Sequence, residues 1–177
     1  VLLNCGESAE QLLAQFQGRI MGAPSLVEPG REFAFEDPVG LPGKVEYLLG
    51  QVSGELENAR RAQPYEQLLL LTHLFCWLGK LHPFLDGNGH IQRALFAALA
   101  LELGIPLSPR FALHPRSYDR LLAWPLEMFT RAEESERPNY EPSLAQSFVP
   151  SRAAAWPLTV VVWPSACTSP CHALATL

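Results

Sequence analysis

His82-Pro83-Phe84-Leu85-Asp86-Gly87-Asn88-Gly89-His90-Ile91-Gln92-Arg93 separates two of the most apolar segments of the chain. Before it, a segment opening near Pro64 runs through Leu68-Leu69-Leu70-Leu71 to Trp77 and Leu78. It is apolar nearly all round, the pattern of a central, buried helix. After it, Ile91 to Leu103 reads as a second apolar helix, stopped by Gly104 with Pro106 beyond. The break between them, His82 to Gly89, is short and polar. Two buried helices joined by such a loop are an unusual arrangement, and the chemistry is expected there.

Working outward, Pro42 stands where another helix begins, with Val45, Leu48, Leu49, Val52 and Leu56 on one stripe. Leu26-Val27-Glu28 and Glu32-Phe33-Ala34-Phe35 flank Pro29-Gly30 and predict a short β-hairpin over about 24–36. Ser8 to Arg19, with Ala9, Leu12, Leu13 and Phe16 at helical spacing, predicts a first helix. His114 to Trp124 and Leu126 to Arg131 are further helical candidates. From Glu133 onward six prolines, from Pro138 to Pro170, allow no long element. The expectation is an all-α bundle with a small β-hairpin, a domain over 1–132 and a Pro-rich tail over 133–177. No internal repeat is visible.

The 177 residues are 48% apolar and 18% charged, with a formal net charge of −5. This excludes wholesale disorder, and the acidic balance argues against a general nucleic-acid binder. Positive charge is carried by Arg; Lys44 and Lys80 are the only lysines, and Ala153 to Leu177 carries no charged side chain. Leu68 to Leu81, interrupted by Thr72, His73 and Lys80, is too short to span a membrane. No signal peptide is read at the start. Cys5, Cys76, Cys167 and Cys171 do not make a disulfide framework in a chain of this length. A cytoplasmic setting is expected, with a secreted effector as the alternative.

Gly87-Asn88-Gly89 running into a helix start lets backbone N–H groups point together, and this concavity at the positive helix end suits a phosphate. Asp86 would repel a bare phosphate, so a divalent cation is implied between them. Mg²⁺ held by one carboxylate plus substrate phosphates fits. Arg93, one turn into the second helix, is placed for distal phosphates, and His82 is placed to take a proton near neutrality. Blander readings stand beside these: His82 as a helix cap, and Gly87 to Gly89 as an ordinary turn. A competing reading notes that His82, Asp86 and His90 fall at i, i+4 and i+8, the spacing of a three-ligand zinc face on a continuous helix. Gly87 to Gly89 would have to leave that helix unbroken.

The twelve-residue loop closely resembles the signature of the Fic family, usually written His-Pro-Phe-x-Asp/Glu-Gly-Asn-Gly-Arg-x-x-Arg. The resemblance extends from about Met21 to Arg131. The hairpin looks like the family's flap, the Leu-rich helix with His73 precedes the motif, and Ser117-Tyr118-Asp119-Arg120-Leu121-Leu122 is similar to the helix that follows it. The resemblance implies a Fic-type helical fold and transfer of AMP from ATP to a Ser, Thr or Tyr hydroxyl of a target protein, releasing pyrophosphate. It further implies that His82 deprotonates the hydroxyl, Asp86 holds Mg²⁺, Gly87-Asn88-Gly89 with His90 and Arg93 binds the phosphates, and Arg93 neutralises the leaving group. Phe84 would point inward and anchor the loop. Val27, Glu28, Glu32 and Phe33 of the flap would pair with the target's backbone by strand addition.

His90 stands where the family has its first Arg. Histidine is shorter and mostly neutral at pH 7. A lost charge-assisted contact of roughly 1.5–3 kcal/mol slows turnover by about ten- to a hundredfold. Three readings follow: a weakened transferase, a member transferring another phosphate-containing group, or a fold that binds nucleotide or protein without catalysis. Family members are often restrained by a helix bearing Ser/Thr-x-x-x-Glu-Gly/Asn, or by a separate antitoxin-like partner. Ser53 to Asn58 matches that pattern but lies between flap and loop, so Glu57 is expected to be a solvated helix residue. His73, Trp77 and Cys76 are expected in the core, and His73 to be hydrogen-bonded there. Tyr118 is placed either near a nucleobase or in the core. Cys167, Cys171 and His172 form only a weak metal-like set.

Overall fold

In the computed structural model, residues 20–107 and 124–148 are described. The elements run β1 (Gly22–Pro24), β2 (Glu32–Ala34), α1 (Leu41–Arg61), α2 (Pro64–Leu81), α3 (Asn88–Glu102), a helical segment α4 over 124–131, a 3₁₀ turn (Arg137–Asn139) and α5 (Glu141–Ser147). The protein is mostly helical with one two-stranded antiparallel sheet, as the sequence predicts. The candidate helices at 8–19 and 114–123, Tyr118, and Cys167, Cys171 and His172 lie outside the described residues.

Central α2 packs on both sides, which explains its lack of a polar face. On one side Leu68, Leu71, Phe75 and Cys76 meet Phe96 and Ala100 of α3, Phe129 of α4, and Leu144, Ala145 and Phe148. On the other, Leu74, Leu78 and Leu81 meet Leu48 and Val52 of α1. Pro64 occupies the first turn of α2, where a missing N–H costs nothing. Glu66 reaches back to the Gln63 N–H at 2.9 Å, half of a capping box.

Two expectations change, and the core also takes in residues beyond 132. Leu144 and Phe148 are fully buried, and Phe148 meets Phe75 and Phe96 at ring-centroid distances of 5.3 and 4.8 Å. Helix α3 begins at Asn88 rather than Ile91, so two of the three Gly-Asn-Gly residues lie in its first turn. The hairpin keeps its second strand but not its first: Gly22, Ala23 and Pro24 face Ala34, Phe33 and Glu32. Leu26, Val27 and Glu28 lie in the connecting loop.

That loop is held from a distance of a hundred residues. The buried carboxylate of Glu127, on α4, accepts from the Ser25 hydroxyl at 2.5 Å and from the N–H groups of Leu26 at 2.8 Å and Val27 at 3.3 Å. Arg131 pairs with the same carboxylate at 2.9 Å. A backbone N–H already satisfied by a buried charge has no need of a strand partner.

Candidate functional site

Helix α2 ends on His82, whose N–H closes onto the Leu78 carbonyl at 3.0 Å. Its backbone is left-handed (φ 47°, ψ 54°), the one non-glycine with positive φ among the described residues. Such a backbone is sterically costly for a side chain with a Cβ and tends to mark functional positions. The imidazole is half-buried, lies flat on the Phe35 ring, and has the Gly79 carbonyl nearby. Burial lowers its pKa below 6.5, with the Gly79 carbonyl working in the other direction. A neutral ring at pH 7 is what proton abstraction requires.

Gly79 serves a second purpose. A Cβ there would meet the Gln92 amide nitrogen at 2.9 Å, and that nitrogen donates to the Phe75 carbonyl at 2.5 Å. The close approach sets α3 against the end of α2, so His82 and the start of α3 stand side by side.

Gly87 turns the chain into α3 with φ 80°, a conformation that glycine adopts freely. Its carbonyl takes the N–H groups of His90 and Ile91. The N–H groups of Asn88 and Gly89, in the first turn, have no intrahelical acceptor, which leaves them for an anion. Arg93 folds back over this turn: a Cβ on Gly89 would meet its Nη1 at 3.3 Å. This stretch carries helix-end N–H groups, one guanidinium and the exposed side chains of Asp86 and His90.

Asp86 accepts from the Gly87 N–H at 2.7 Å and remains exposed. One accessible carboxylate beside a helix start could hold a Mg²⁺ ion that takes its other ligands from substrate and water. Among the described residues no group of three His, Cys, Asp or Glu side chains could hold a metal. The zinc-face reading fails on the backbone, because the left-handed turns at His82 and Gly87 keep residues 82, 86 and 90 off a common helix face.

One loop residue behaves differently from expectation, and another has a structural role beside its backbone N–H. Asn88 does not offer its side chain to a ligand. It is buried and clamps both polar groups of the Phe84 backbone, accepting from the N–H at 2.9 Å and donating to the carbonyl at 2.5 Å. That clamp holds the loop, whereas the Phe84 ring is 45% exposed rather than anchored inward. In the flap, Glu32 and Phe33 are on β2 as expected. Val27 and Glu28 are not in a strand, and their N–H groups are taken by Ser25 and Glu127. The Glu28 carboxylate pairs with Arg31 and Arg131 instead, and those arginines lower its pKa.

Glu57 is exposed and pairs with Arg60, which also reaches Glu102 at the far end of α3. The length of α3, about 20 Å for its fifteen residues, separates Glu102 from the loop. His73 is hydrogen-bonded as expected, its Nδ1 lying 2.9 Å from Glu141. It lines a groove of about 640 Å³ with Glu36, Lys44, Tyr47, Trp77 and Arg137, behind the hairpin rather than at the loop. The sequence reading missed Phe35 and the Glu127 clamp. Alternation along Glu32-Phe33-Ala34-Phe35, which puts Phe33 and Phe35 on one face, was the available signal for the first.

No helix among the described residues is long and apolar enough to cross a membrane. The family model described as Fic/DOC family matches residues 8–100, just over half of the chain. No curated protein and no solved structure matches.

Proposed function

The chain belongs to the Fic/DOC family, and on that premise we propose that it is a transferase that moves AMP from ATP to a hydroxyl side chain of a target protein. One observation carries the proposal: a histidine in a strained left-handed backbone, its pKa lowered by burial, stands beside a helix start over which an arginine is folded.

His82 would take the proton from the target hydroxyl as its oxygen attacks the α-phosphorus. The bond from that phosphorus to the bridging oxygen breaks, and pyrophosphate leaves. The Asn88 and Gly89 N–H groups would receive phosphate oxygens, and Arg93 would take up charge as the leaving group departs. Asp86 would hold Mg²⁺, which supplies neutralisation and orientation of the phosphates. The target would be held on β2. Ladder bonds from Ser25 N–H to Arg31 and from Phe35 N–H to Met21 alternate along the pair, so Glu32 and Ala34 turn their backbone groups to the outer edge. Among the described residues no strand pairs with that edge, which would take a strand of the target.

His90 favours a second reading, in which the fold binds nucleotide or transfers another phosphate-containing group. The test is incubation of the protein with each labelled nucleotide and a cell lysate, beside His82→Ala. Label from ATP that disappears in the variant supports AMP transfer, and label from another donor moves the assignment to that group. Nucleotide binding without any label supports the non-catalytic reading.

A further inference from the structure

The hairpin does more than offer an edge. The Phe35 ring and the His82 imidazole lie with centroids 3.7 Å apart and planes 6° from parallel. Phe33, on the same face of the strand, meets Phe35 edge-on at 5.4 Å. The strand is fastened beside the contact. Glu36 N–H donates to the carbonyl of Lys80, two residues before His82, at 3.1 Å. Lys80 is only 7% exposed, and its ammonium lies 3.2 Å from the Glu36 carboxylate and 3.4 Å from the Phe35 carbonyl. Lys44 of α1 grips the same carboxylate at 2.6 Å.

The Gly79 carbonyl beside the imidazole leaves the tilt of the ring free. A flat ring against its face removes that freedom. We propose that Phe35 is a positioning residue for the transfer: held to the end of α2 through Glu36 and Lys80, its ring sets the plane of the His82 imidazole and hence the direction of the nitrogen that takes the proton. The inference rests on the function proposed above. It also couples two events, because the strand that would receive the target also orients the base. Misplacement of a reacting group by about an ångström costs on the order of a hundredfold in rate.

The test compares the full-length wild type with Phe35→Ala and Phe35→Tyr by NMR titration of the His82 ring and by transfer kinetics. In Phe35→Ala the His82 midpoint rises toward 6.5 as the covering ring is lost. Its kcat falls about ten- to a hundredfold while the KM for nucleotide holds. Phe35→Tyr, which keeps a flat ring, stays near wild type in both. If alanine unfolds the hairpin, Phe35→Leu fills the space without a flat face and should again lower kcat. An unchanged titration and rate in the folded variant, or a tyrosine variant no better than alanine, overturns the proposal. Absence of His82-dependent transfer in the wild type would instead sink the proposed function. The titration would still decide whether Phe35 holds the ring.

Discussion

Glu127→Gln tests whether the flap loop is held by one buried carboxylate. In the native protein that carboxylate is 2% exposed and accepts from Ser25, Leu26, Val27 and Arg131. Glutamine keeps the shape and one oxygen, but it replaces the other oxygen with a donor and removes the charge. At least one buried donor then faces an amide nitrogen, and the charge-assisted bonds weaken, for a combined cost of about 2–4 kcal/mol. Expressed as local opening, this raises amide exchange at Leu26 and Val27 by roughly thirty- to several-hundredfold. Hydrogen exchange read by mass spectrometry over 22–34 measures it, with a urea melt to show that the core still folds. The pH dependence gives a second check. Burial pushes the Glu127 carboxyl up, but the Ser25, Leu26, Val27 and Arg131 contacts outweigh that and hold its pKa below 4.5. Its contribution is therefore complete above about pH 4.5 and is lost as pH falls through the lower folded value. The glutamine variant lacks this acid loss. Unchanged exchange at Leu26 and Val27 in folded Glu127→Gln would refute the reasoning.

Three further outcomes follow from the same geometry. His90→Arg, at an exposed position in the first turn of α3, is expected to speed AMP transfer about ten- to a hundredfold, measured as initial rates with labelled ATP; no gain would remove the weak-contact explanation of His90. Phe148→Ala empties a ring from the cluster with Phe75 and Phe96 and should cost about 3–5 kcal/mol, read from the urea midpoint; a loss under about 1 kcal/mol would mean that residues 141–148 are not part of the core. The pH profile of transfer should rise with pH along an acid limb whose midpoint lies below 6.5, because the proposed base is proton-free His82 and burial lowers its pKa. A midpoint above 6.5 would contradict the buried setting of the ring.

The helices and the loop were legible because their signals are local. Apolar residues around all sides of 64–81, prolines at the starts of α1 and α2, and Gly87 before α3 each act over a few residues. The hairpin was half legible. Leu26-Val27-Glu28 has strand-like composition, but a carboxylate a hundred residues away takes its amides, and no local pattern announces that. Asn88 shows a different limit: the residue type suits a ligand site and a loop clamp equally, and only geometry reveals that both ends of its amide are spent on Phe84. Leu144 and Phe148 were hidden by the prolines around them, because a seven-residue helix is too short to display a period.

The clamp by Asn88 also bears on how the protein ages. Asn88 is followed by Gly89, and an asparagine before glycine is prone to lose its amide nitrogen when the next backbone N–H can swing onto its side chain. Here the amide is buried and tied at both ends to Phe84, inside the first turn of a helix, so the intact loop shields its own weakest bond. Any condition that loosens the loop exposes it. The product would be an aspartate or isoaspartate with no donor for the Phe84 carbonyl and a new negative charge beside the N–H groups proposed to take phosphate. Chemical damage at this one residue would thus open the loop and set a negative charge against the proposed phosphate ligand, so shelf life and the proposed activity would rest on the same two hydrogen bonds.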